Sequence, residues 1–216
     1  SRPFNYSDMT LSILLLGPIR LRFANSPMRL LTGSHAALVG FLALQQHTDH
    51  SATRSRLAGS IWPDYDEEHA RRLLSNTLYR LQKQHPQLSS HLHLTPETVT
   101  LTNLSVDVAQ FEAHSQSSDP AAWQKGLALY QGPLLEELDL EWSRTPRALL
   151  HEQFLAMLAR TCQHLAQAAT QPLHKALHLA HRWVQADPFN EQAHVALMQR
   201  YVRLGRPAAA RQQYDT

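Results

Sequence analysis

The chain has 216 residues, 43% hydrophobic and 18% charged, with a formal net charge of +2; such a balance is ordinary for a globular protein of one large or two small domains and excludes a polycation. No apolar run approaches the roughly 18 residues of a membrane span, and Ile13-Leu14-Leu15-Leu16 is far too short and lacks a signal-peptide cleavage pattern. A single cysteine, Cys162, excludes an intramolecular disulfide framework. Together these features favour a cytoplasmic protein without a membrane partner.

In chain order, the first elements read as β-structure. Ser12 to Leu16 is a strand candidate, Gly17-Pro18 is turn chemistry, and Ile19-Arg20-Leu21-Arg22-Phe23 alternates apolar and basic residues as a half-buried strand does. Asn25-Ser26-Pro27 turns again, and Met28 to Leu31 makes a third short strand of a small antiparallel sheet. A helix follows with Ser34 as N-cap and Leu38, Phe41, Leu42 and Leu44 as its apolar stripe. A second helix begins near Thr53, turns Leu57, Ile61 and Trp62 inward, and ends at Pro63.

The third helix, from Asp66 to His85, carries the most information. At about 100° per residue, Leu73, Leu74, Thr77, Leu78 and Leu81 fall on one half, and Arg71, Arg72, Ser75, Asn76, Tyr79, Arg80 and Lys83 on the other. Glu67 and Glu68 lie in the first turn, where the helix dipole favours negative charge, and no acid interrupts residues 69 to 96. Such a face suits a DNA major groove: Arg reaches guanine edges or phosphates, and Asn pairs with adenine. An ordinary solvated helix face is the alternative origin of these charges. Residues 1 to 104 hold ten basic and seven acidic residues, against ten and eleven in 105 to 216, so the basic excess lies in the same half as this helix.

Two alternating stretches, His91 to Leu94 and Thr98 to Thr102, flank a Thr95-Pro96-Glu97 turn and read as a hairpin. Sheet, three helices and hairpin in this order make a winged helix. The third helix then reads the groove, and the hairpin is the wing. The wing offers hydroxyls and no cation, so a backbone contact and a purely structural role both stay open. Arg54 and Arg56, in the first turn of the second helix, favour a phosphate through their charge and the free N–H groups there, or are merely solvated.

From Val106 the pattern is helical, with candidates at Val106 to His114, Ala121 to Tyr130, Arg147 to Ala169, Pro172 to Asp187, Asn190 to Leu204 and Pro207 onward. Lys175-Ala176 and Ala209-Ala210 begin equivalent helices 34 residues apart, with Asp187-Pro188 and Leu204-Gly205 between them, as in a tetratricopeptide array. Stacked helix pairs of that kind leave a concave face for a partner. Trp123, Trp142, Trp183 and Tyr130 read as helix-packing residues, and Cys162 as a buried, inert thiol.

Little in the sequence points to catalysis, a cofactor or a metal. His174, His178 and His181 share a helical face at metal-compatible spacing, but no carboxylate or cysteine pattern completes the set; His47-Asp49-His50 reads the same way. No Gly-rich phosphate loop or nucleophile elbow occurs. The ends, Ser1 and a helical pattern running to Thr216, read as those of a fragment of a longer protein.

Several segments together carry a family resemblance: LLLGPIRLRF, LVGFLAL, RSRLAGSIWPDYDEEHARRLLSNTLYRLQK, VDVAQFEAH, LYQGPLLEEL with Trp142, and DPFNEQAHVALMQRYVRLGRPAAARQQY. In this order they resemble the bacterial antibiotic-regulatory-protein (SARP-type) transcriptional activators, which join a response-regulator-type winged helix to an all-helical transcriptional activator domain. The resemblance implies an α+β winged helix-turn-helix at residues 1 to 104 and a tetratricopeptide-like all-α domain at 105 to 216. It implies sequence-specific binding of double-stranded DNA, with Arg71, Arg72, Asn76 and Arg80 on the recognition helix. It also implies that the helical domain contacts RNA polymerase or a second copy on a direct-repeat site. Two departures stand out. LTGSHAAL lacks the basic pair common at the start of the first helix, and Lys83 replaces a frequent Arg, exchanging a forked donor for a point charge. The competing reading is a protein-interaction adaptor whose winged helix no longer binds DNA.

Overall fold

The computed structural model describes residues 11–24, 26–47, 52–167 and 173–214. Asn25 of the predicted turn, the side-chain cluster His47-Asp49-His50, and the predicted helix ends at Ala169 and Pro172 lie outside the described residues.

The amino-terminal part holds two small sheets. Strands β1 (Leu11–Leu14), β2 (Arg20–Phe23), β3 (Arg29–Leu30) and β7 (Leu104–Val106) form one, in the order β3-β2-β1-β7, with β7 parallel to β1 and the other pairs antiparallel. Leu11, Ile13, Leu21 and Phe23 are buried while Arg22 faces solvent, so the alternation read from sequence is that of a sheet with one covered face. The second sheet is the hairpin β5 (Leu92–Leu94) and β6 (Thr98–Leu101), joined on the β6 side by β4 (Ala52–Thr53).

Three helices lie in the chain between the two predicted β-regions: α1 (Gly33–His47), α2 (Arg54–Ile61) and α3 (Glu67–Gln84). Helix α1 starts one residue before Ser34, which therefore sits inside the first turn and not at its cap. Thr53 caps α2 as expected, its hydroxyl accepting the Arg56 backbone N–H at 3.3 Å. Thr53→Ala is expected to cost about 1 kcal/mol of stability, measured by urea unfolding. Trp62, predicted inside α2, is its half-buried C-cap.

Helices α4 (Asp107–Gln116), α5 (Pro120–Leu129), α6 (Glu141–Gln167), α7 (Leu173–Ala186), α8 (Glu191–Arg203) and α9 (Pro207–Tyr214) follow among the described residues. Helix α6 begins six residues before Arg147, the start predicted from sequence, and runs through Pro146. Pro146 is the sixth residue of the helix, so the Trp142 carbonyl forgoes an N–H from that ring and is crowded by it.

Two compact units emerge from the contacts: Ser1–Phe111 with Leu129–Leu149, and Glu112–Ala128 with Leu150–Thr216. Residues 129–149 thus pack with the β-rich part. The irregular stretch 131–136 runs antiparallel to the tail of β1: Leu16 bridges Leu134, Leu135 N–H donates to Leu15 O at 2.8 Å, and Gly17 N–H donates to Pro133 O at 3.0 Å. Gly17 has φ +114°, and a Cβ on Gly132 would stand 3.3 Å from the Gly17 Cα, so both glycines of the paired Gly-Pro steps are required by the fold. Arg147 fastens the same stretch, donating from Nε to Leu134 O at 2.7 Å and from Nη2 to Leu135 O at 2.9 Å and to Leu138 O. Asp107 closes this unit; its buried carboxylate accepts the Leu15 and Leu16 N–H groups at 2.8 and 3.0 Å.

In the second unit, α7, α8 and α9 pack in succession. Ala176, Ala193 and Ala210 are all buried, one per helix at a spacing of 17 residues, where small side chains let helices approach. Asn190 caps α8 by accepting the Ala193 N–H at 3.2 Å, and Gly205 at φ +69° ends it with Arg206 N–H donating to Tyr201 O.

Candidate nucleic-acid interface

Helix α3 is amphipathic in the sense the sequence predicts. Ala70, Leu74, Thr77, Leu78 and Leu81 are buried, with Leu73 only half-buried, and the helix packs on α1 and α2. Arg71, Arg72, Ser75, Asn76, Tyr79, Arg80 and Lys83 are all exposed, Tyr79 to 66%. Asp66 caps the helix, accepting the His69 N–H at 2.9 Å. That bond holds the Asp66 carboxyl below the usual range, so the charged cap persists above the ordinary carboxylate pKa and is lost as pH falls through the lowered one.

The cations of α3 are lightly held. Arg71 pairs with Glu67 at 3.7 Å and Arg72 with Glu68 at 4.0 Å, each one turn back and well exposed. Exposed pairs of this spacing contribute only about 0.3–0.5 kcal/mol, so either guanidinium can exchange its partner for a base edge or a phosphate. Ser75 donates its hydroxyl to Arg71 O at 3.0 Å, which leaves its oxygen free to accept but commits its proton.

Arg54 and Arg56 separate. Arg54 joins Arg71, Leu74, Ser75 and Pro96 around a small cleft between α2, α3 and the hairpin turn. Its Nε donates to Thr95 O at 2.8 Å and its backbone N–H to Glu97 O at 2.8 Å, so it ties the hairpin tip to α2. Arg56 instead lies 6.0 Å over the Phe41 ring, whose edge-to-face neighbour is Trp142 at 5.0 Å. The hairpin tip is set by Thr95, whose hydroxyl accepts the Glu97 and Thr98 N–H groups at 3.2 and 2.9 Å.

A further basic group escaped the sequence reading. Burial, then the charge of Arg80, lowers the pKa of His35; burial, then Arg29 and His35, lowers that of His85. Four basic side chains from β3, α1 and the end of α3 therefore act on one another. They are scattered in sequence at positions that no single helical period connects, so periodicity could not reveal them.

Elsewhere, burial pushes the Cys162 thiol up to about 11, far from the range of a reactive thiolate. His181 Nε2 lies 2.8 Å from the Tyr201 hydroxyl, and among the described residues no group of three His, Cys, Asp or Glu stands close enough to hold a metal. Among them too, no helix is long and apolar enough to cross a membrane.

The bacterial transcriptional activator domain family matches residues 106–216, and the chain belongs to that family, a family of transcriptional activators, in line with the resemblance drawn from the sequence. A solved structure of Mycobacterium tuberculosis EmbR in complex with a low affinity phosphopeptide has a similar fold, with a TM-score of 0.68 and 17% identity. The match covers 95% of this chain and 58% of that one, so this chain spans less than two thirds of its length. No curated protein matches.

Proposed function

We propose that the protein is a sequence-specific, DNA-binding transcription activator of the cytoplasm. Residues 1–104 then form a winged helix-turn-helix, with α3 in the major groove and β5–β6 as the wing; the family match beginning at residue 106 supports a functional boundary there. In this reading Arg72 and Asn76, one turn apart on the exposed face, read base edges, while Arg71, Arg80 and Lys83 touch phosphates. Tyr79 and Ser75 add single bonds to the backbone. Arg54 and Arg56, in the first turn of α2, touch a phosphate, Arg54 while tying the hairpin tip to α2 and Arg56 while resting on Phe41. Residues 105–216 form a tetratricopeptide-like activator domain that contacts RNA polymerase or a second copy on a direct repeat. Catalysis and a cofactor have no part in this reading.

The carrying observation is the face of α3: seven polar or cationic side chains exposed along one leucine-backed helix, beside the hairpin tip. Selection of bound duplexes from a random pool tests it. Enrichment of a defined site, with affinity falling steeply as salt rises, supports the regulator; no retained duplex, with a protein partner captured instead, supports the adaptor. Lys83→Ala is expected to weaken every sequence alike and to shallow the slope of log K against log salt by about 0.9, measured by anisotropy titrations over a salt series.

A further inference from the structure

We propose that the groove formed by α6, α7 and α8 seats an acidic side chain on a segment of a protein partner, with Arg200 and Trp183 as its donors. This deepens the partner-recruiting role proposed for the helical half and rests on it, but it is independent of DNA contact by α3.

The groove is open, ≈ 540 Å³ in volume, and lies within the second compact unit. Arg200 of α8 is 2% exposed, the largest fully buried side chain among the described residues. Its Nη2 donates to Cys162 O at 3.0 Å, and its Nη1 is buried with no acceptor among the described residues. Trp183 of α7 is 5% exposed, and its Nε1 likewise meets no acceptor among them. Both residues line the same groove. A buried guanidinium without a carboxylate and a buried indole N–H without an acceptor, both on the lining of one groove, are costly, and a negatively charged acceptor is the remedy for either. Burial and the neighbouring Arg203 press the Arg200 pKa down, which an incoming anion relieves. Glu191, the carboxylate on the lining, stands nine residues earlier on α8, two and a half turns away at 3.6 residues per turn.

The rest of the lining describes the ligand. Ala159, Ala166, Val195 and Ala196 offer a small, apolar wall suited to an aliphatic stem. Gln163 and Gln199 add neutral amides to the same lining and bring no charge of their own. A protein segment fits better than a free small anion because the apolar surface continues outward. Val195, on the lining itself, is 45% exposed and supplies that outward apolar surface.

The test selects random peptides displayed on phage against the whole protein, then compares the best binder with the same peptide carrying the amide in place of the acid. Enriched peptides are expected to place Asp or Glu beside an apolar residue, and the acid form to bind about tenfold tighter or more than the amide. Trp183→Phe, which keeps the ring and removes the N–H, narrows that gap, and Arg200→Gln abolishes it. If Arg200→Gln does not fold, Trp183→Phe and the NMR resonance of the Trp183 indole N–H carry the test; the resonance shifts with the acid peptide and not with the amide. Peptides without an acid, equal binding of both forms, or an unmoved indole resonance overturn the site. A full shift produced by sodium acetate alone also overturns it, assigning the donors to a small anion. Duplex binding is measured on the same samples, so a negative peptide result with DNA binding intact removes this groove and leaves the regulator standing.

Discussion

Arg72→Ala is expected to weaken binding to the selected duplex by about 1–3 kcal/mol, a loss of roughly 5- to 150-fold, and to flatten the base preference at one position. The side chain is 67% exposed and its ion pair with Glu68, itself 84% exposed, is long at 4.0 Å, so the folded protein loses almost nothing when it is removed. A thermal melt unchanged alongside a weakened duplex therefore separates recognition from folding. Arg72→Lys keeps the charge but not the forked donor, and is expected to restore phosphate attraction without restoring the base preference. Titration of the selected site and its single-base variants reads both effects. Parent-like binding by Arg72→Ala removes this residue from base readout.

Asp107→Ala is expected to cost about 3 kcal/mol of stability, read by urea unfolding. Its carboxylate is 4% exposed and accepts two backbone N–H groups 91 and 92 residues away in sequence, at the end of β1; without it both donors are buried and unpaired. The same group carries a pH signature. Burial raises its pKa above the usual carboxylate range, although four backbone N–H bonds oppose that rise. A folded-state pKa above the unfolded one means that the native state holds the proton more tightly. The contribution is therefore full below the unfolded pKa and declines as pH rises through the folded one. Asp107→Asn cannot ionise, so the stability difference between parent and variant should change over that window and be flat above it. A difference independent of pH contradicts this account of Asp107.

The elements legible in the sequence are those whose pattern is local. Helix α3 was found within a residue of its true bounds because its apolar positions recur at the helical period and Asp66 and Pro86 bracket it. The hairpin and the α7–α8–α9 succession follow for the same reason. Long-range pairing was not legible. Strand β7 spans only Leu104–Val106 and gains its identity from pairing parallel to Leu11–Ile13, and β4 is two residues beside β6. Residues 131–136 show no period, because their carbonyls and N–H groups are satisfied by the tail of β1 and by Arg147 and not by neighbours in sequence. The exposed half of α3 was legible as a surface. That Arg54 turns to the hairpin while Arg56 turns to Phe41 was not, since it depends on which elements flank each side of α2.

The most direct measurement is methylation interference on the selected duplex. Dimethyl sulfate marks guanine N7 in the major groove and adenine N3 in the minor groove. With α3 seated in the major groove, the bound fraction is depleted of duplexes methylated at particular guanine N7 positions, and Arg72→Ala erases the depletion at one of them. Interference confined to adenine N3, or a protein that shifts no duplex at all, contradicts the assignment of that face to DNA.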